Sequence, residues 1–233
     1  MLTNKQINKY DEILSRGLSK GIGGIDRQMC IEAAICTTLD LPFSDDPLCV
    51  TESIRQYKIK MNDSNWSSEL ARSRGLRDLG LAQLGSLGVI SNEDFVNKLM
   101  QKTIGTLIPT LFREIFPNNK KCLEAANMCE IEKNANAAFD AAFDAANAAF
   151  DVAYNAASVA SADSAAYAAS VASVANVAYA ADDIAEVAIF ANDATIFAAN
   201  AANSSVDKYL LISISLALDT LKELNSPGCA LLK

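Results

Sequence analysis

Six residues combine the types and spacing needed to hold a ligand: Arg55, Lys58, Trp66, Arg72, Arg74 and Arg77. Arg55 and Lys58 fall on adjacent turns of one expected helix, and Arg74 and Arg77 do so on the next. With Lys60, they are separated only by the carboxylates Asp63 and Glu69. A concave patch built this way would bind a phosphate, a nucleotide or an acidic peptide, with Trp66 as a stacking wall. The competing reading pairs the cations with neighbours such as Glu52 and Asp78 and places Trp66 in the core.

Other chemistry-bearing groups have plainer explanations. Asp40, Asp45, Asp46, Asp63 and Glu32 lie in one region, where paired carboxylates would hold Mg²⁺ or act as acid and base. However, Asp46-Pro47 has the form of a helix start and Asp40 that of a helix end, so no metal site is assigned. The Gly17 to Gly24 stretch, with Lys20 and Arg27, would offer backbone amides to an anion at a helix N-terminus. It matches neither a phosphate-binding nor a dinucleotide-binding loop and is read as a plain inter-helix turn. Cys30 and Cys36 have apolar neighbours and no histidine to act as base, so they are expected to be packing residues.

Composition narrows the classes further. The chain has 233 residues and no histidine, which excludes a Ser-His-Asp triad, a Cys-His pair and histidine-ligated zinc or haem. No catalytic residue and no cofactor is assigned. The net charge is −8, and all of it falls within 134–203, where seven Asp and one Glu meet no Lys or Arg. Such an acidic chain is not expected to bind nucleic acid or an anionic membrane. No apolar stretch follows Met1-Leu2-Thr3-Asn4-Lys5, so a cytoplasmic location is expected, with the six cysteines reduced. The apolar run Tyr209 to Leu218 is too short to span a membrane.

Helices must position all of these groups. Thr3 and Gln6 have capping-box spacing before the stripe Ile7, Tyr10, Ile13 and Leu14. Further helix starts are expected at Asp26, Asp46-Pro47, Ser67 or Ser68, Ser91 and Pro109. A last helix is expected from Ser205 to about Asn225, before Pro227-Gly228. Runs of alternating β-branched residues are almost absent.

From about Lys120 the composition changes. Residues 134–203 hold 31 alanines and neither glycine nor proline, and 136–146 recurs at 147–157 with a period of eleven. That period stacks Phe139 over Phe150 and Phe143 over Tyr154. Polar clusters break the stretch into three or four helices of about 18 to 28 residues, expected to fold as an up-and-down bundle. The fold class is therefore all-α: a multi-helix N-terminal part over 1–117, packed on an alanine-rich up-and-down helical bundle over 118–233, as two domains or as one continuous domain.

The runs Arg16 to Gly23, Gln28 to Cys36, Asp45 to Val50, Met61 to Asp63, Trp66 to Ser68 and Gly75 to Gly80 resemble a group of uncharacterised bacterial and phage proteins. Members of that group join a compact N-terminal segment to an alanine-rich helical tail. The resemblance places Glu32, Asp45, Asp46, Asn62, Asp63 and Trp66 in the segment that gives the group its identity. By composition the tail also resembles helical immunity-type proteins of bacterial toxin systems. Its eleven-residue period is similar to that of alanine-rich antifreeze helices, but 134–203 contains only Thr195 where those carry a regular threonine. The expected function is thus a non-enzymatic interaction protein that binds or sequesters a protein partner in phage–bacterial or interbacterial conflict. Homo-oligomerisation through the alanine-rich helices is a further expectation. The alternative is a small-anion or nucleotide binder using the basic residues.

Overall fold

A computed structural model describes residues 2–115, 117–118, 120–131 and 206–232. The alanine-rich repeat and its expected bundle lie outside these residues. The described part is all-α, with no strand and one isolated bridge between Gly23 and Met29. No helix in it is long and apolar enough to cross a membrane. Two compact units pack separately: 1–95 with 214–233, and 96–213.

In the first unit, helix α1 (Asn4–Ser15) starts with the expected capping box. Thr3 Oγ1 accepts from the Gln6 amide at 3.3 Å, and Gln6 Oε1 accepts from the Thr3 amide at 3.0 Å. Its buried stripe carries Tyr10 and Leu14. Gly17 ends it at φ +85, and a side chain there would run into Glu69.

Two expected helix starts are corrected. Helix α2 is Ile31–Thr38, capped by Cys30 Sγ, which accepts from the Ala33 amide at 3.3 Å; Asp26 caps nothing. Residues 19–30 instead reverse direction through amide bonds from Ser19 to Met29, Gly24 to Gln28 and Cys30 to Ile22. Gly21 and Gly23 supply the positive φ that this path needs. Helix α3 is Glu52–Asp63, so Asp46-Pro47 does not open it. The Thr51 amide donates to Ser86 Oγ at 3.0 Å, and Thr51 Oγ1 donates to Ile90 O at 2.9 Å. Those long-range bonds hold 46–51 as a loop.

Helix α4 (Glu69–Ala82) is capped by Ser68, as expected. It crosses α1 at Gly80, where an added Cβ would lie 2.1 Å from Tyr10 Oη. Tyr10 Oη in turn donates to Arg77 O at 3.1 Å. Helix α5 (Asn92–Lys102) begins after Ser91, whose Oγ accepts from the Asp94 amide at 3.0 Å. The Phe95 ring meets Tyr57 edge-on, with centroids 6.1 Å apart. At the other end of the chain, Ser226 Oγ donates to Ala82 O, and Gly228 packs directly on the α4 carbonyls.

In the second unit, a π turn (Thr103–Leu107) leads into helix α6 (Ile108–Ile115), followed by α7 (Lys120–Ile131). Arg113 on α6 pairs with Glu130 on α7 and donates to Asn127 at 2.8 Å. Glu114 pairs with Lys208 and accepts from the Tyr209 hydroxyl; both belong to the last helix, α8 (Val206–Glu223).

Candidate functional site

The six residues singled out from the sequence do not form one open surface. Lys58 is fully buried, 3.0 Å from Glu32 Oε2. Arg72 is 5% exposed, and its guanidinium donates to Leu18 O at 2.6 Å. Trp66 is buried, and its indole N–H donates to Met61 O at 2.9 Å. Arg77 forms a two-pronged pair with Asp11, at 2.7 and 3.0 Å, and a further pair with Asp78 at 2.8 Å. Arg55 is largely covered, with Asp46 and Glu52 both within 4 Å. Arg74 is exposed. Four of the five cations are thus turned inward or paired, Arg74 is exposed, and Trp66 is core, so these residues form a structural network and not one open patch.

The helix faces that carry this network follow from spacing, while the partners on them do not. Ile54, Tyr57, Lys58 and Met61 share the buried stripe of α3, and Arg72 shares that of α4 with Leu76 and Leu79. Glu32 is fully buried too and accepts from Gln83 Nε2 at 2.9 Å, while its Oε1 has no hydrogen-bond partner. Burial raises the Glu32 pKa and lowers that of Lys58, each opposed by the partner's charge.

The remaining sequence candidates are also absorbed by the fold. The Gly21 amide donates to Asp63 Oδ1 at 2.8 Å, so the glycine loop cradles the protein's own carboxylate. Glu32, Asp45 and Asp63 line a cavity of about 50 Å³. Among the described residues no three His, Cys, Asp or Glu side chains are grouped to hold a metal ion. Burial pushes Cys30 and Cys36 up to about 11, which keeps both as thiols.

What the first unit does offer is an apolar cleft of about 520 Å³. Leu2 and Gln6 line it from the start of α1, Leu39 and Leu41 from the end of α2, and Pro47, Leu48 and Cys49 from the following loop. Leu84 and Gly85 close it after α4, together with Pro227, Gly228 and Leu231 of the C-terminal turn. No lining residue carries a charged side chain.

Local backbone chemistry shapes this wall. Helix α2 ends in a Schellman arrangement: the Leu41 amide donates to Cys36 O at 2.9 Å and the Asp40 amide to Thr37 O at 3.3 Å. Asp40 occupies the left-handed position at φ +57, which turns the chain between Leu39 and Leu41. Lys9 Nζ, 2.6 Å from Asp40 Oδ1, also donates to Thr37 O at 2.5 Å and fixes that turn to α1. Leu48 is held at φ +43 and is 70% exposed. The Leu87 amide donates to Cys49 O at 3.2 Å, which brings exposed Leu87 and, two residues on, exposed Val89 to the same loop.

No family model, curated protein or solved structure matches this chain. The cleft therefore rests on its own geometry. Reading the sequence for charged and nucleophilic residues overlooked it. The available signal was Leu48 within Asp45-Asp46-Pro47-Leu48, a turn-forming stretch in which a large apolar residue has no local use.

Proposed function

We propose that the protein acts by binding a partner protein, not by catalysis, and that the contact is the apolar cleft of the first unit with its exposed leucine rim. The carrying observation is Leu48. A leucine in the left-handed region costs roughly 1–2 kcal/mol, and this one leaves its side chain in solvent beside an uncharged cleft. Backbone strain of this kind clusters at functional sites, and covering one such side chain contributes about 1.5–3 kcal/mol. The inward-turned Lys58 and Arg72 weigh against the small-anion alternative. An inhibitor or immunity-type role in bacterial or phage conflict draws its support from the resemblances described above.

A photo-crosslinking residue at position 48, compared with one at the exposed position 74, tests the proposal in cells that express the protein. The expected result is a discrete protein adduct from position 48 that disappears in Leu41→Asp. Adducts that are the same from both positions, or untouched by Leu41→Asp, would overturn it.

A further inference from the structure

The chemistry of the partner's contacting segment can be read from what adjoins the cleft, given the partner-binding role proposed above. At Gln6 the apolar cleft meets a second, polar cleft of about 730 Å³, lined among others by Lys5, Lys9, Glu12 and Asp40. Three of those four charges are engaged. Lys9 is paired with Asp40 at 2.6 Å, and Glu12 with Arg16 at 2.8 Å. Lys5 is exposed and forms no ion pair among the described residues, its charge reaching Asp40 only as the weakest of that carboxylate's influences. The junction residue is itself half engaged: Gln6 Oε1 accepts from Thr3, both from its amide and from its hydroxyl, leaving Nε2 as the donor end.

We infer that the cleft receives an uncharged apolar peptide segment of a partner protein, followed at the Gln6 end by an Asp or Glu that meets Lys5. The two halves of the surface dictate the two halves of the guest. A charged side chain entering the apolar cleft would lose its hydration and find no counter-charge. A guest backbone carbonyl passing the junction accepts from Gln6 Nε2. Beyond it, a carboxylate complements Lys5, whose ammonium is the one charge of that lining not held in an ion pair, whereas a cation finds both carboxylates already paired. Exposed Leu87 and Val89 extend the apolar wall past the cleft itself, which suits a peptide chain.

A displayed library of random dodecapeptides, panned on the full chain with subtraction on Leu41→Asp, tests the inference. Synthetic versions of the enriched peptides are then measured by fluorescence anisotropy. Enriched sequences are expected to have an apolar core with Asp or Glu on one flank. Replacing that flank by Lys should weaken binding about two- to fivefold, because the pair is solvent-exposed. Lys5→Glu, an exposed change in the first turn of α1 that the helix dipole favours, should reverse the flank preference. Leu48→Asn should weaken every enriched peptide about tenfold or more. Apolar peptides with a basic flank, or with no charge bias, would overturn the inference while leaving partner binding through the cleft intact. If no peptide depends on the cleft, both readings fall. A dimer of the chain that forms in light scattering and is dissolved by Leu48→Asn would make the occupant a second copy, which also overturns the inference.

Discussion

Lys58 and Glu32 show how far residue type alone can mislead. Each is a group that usually seeks water, yet here the two are buried against each other with only Gln83 to assist. Removing one partner leaves the other charge without compensation. Lys58→Met should therefore cost about 3–5 kcal/mol in urea unfolding, and pairing it with Glu32→Leu should recover most of the loss. Glu114 behaves in the opposite way. Bonds from Lys208 and Tyr209 lower its pKa below the ordinary 4.5. A lowered carboxyl adds stability that is present above that ordinary value and lost as pH falls through the lowered one. The acid limb of a stability–pH curve below about pH 4.5 should accordingly be shallower in Glu114→Gln.

At the scale of elements, helix ends declared by local capping formed where expected, at Thr3, Ser68 and Ser91. Those at Asp26 and Asp46-Pro47 did not, because partners far along the chain outcompeted the local cap. Asn62 Oδ1 takes the Ile31 amide at 3.2 Å, Asp63 takes that of Gly21, and Ser86 that of Thr51. The crossing of α1 and α4 gives a sharp test. Alanine improves helix propensity over glycine by about 1 kcal/mol, but at Gly80 its Cβ would overlap the Tyr10 hydroxyl. Gly80→Ala should therefore be destabilising by about 1–3 kcal/mol. Adding Tyr10→Phe, which removes that hydroxyl, should relieve much of the cost and make the pair non-additive in thermal unfolding. In the loop before α3, Leu48→Asn should raise stability by about 1 kcal/mol, because asparagine tolerates the left-handed backbone. If Leu48 were a packing residue, the same change would lower the melting temperature.

For the whole molecule, the telling feature is that the first unit closes on both ends of the chain. Residues near the C-terminus return to α4, where Ser226 bonds Ala82 O and Gly228 leaves no room for a Cβ, 2.1 Å from Leu81 O. They also complete the apolar cleft through Pro227 and Leu231. Deleting 227–233 should lower the urea midpoint of the full chain and abolish crosslinking from position 48. If crosslinking survived, the C-terminal turn would not be part of the binding wall.

Sequence alone determined the all-α class and the helix starts at Thr3, Ser68 and Ser91, because helical periodicity and capping act over a few residues. It also located the net charge and excluded histidine chemistry, which are matters of counting. Tertiary structure decided which cations remained available. Spacing puts Lys58 and Arg72 on a helix face, but only packing shows that this face is the core and that Glu32 and Leu18 O meet them there. The cleft was decided at the same level, since its walls come from positions as distant as Leu2, Leu48 and Leu231. Apolar side chains carry no short-range code for such an assembly; their attraction is non-directional and acts once the chain has brought them together.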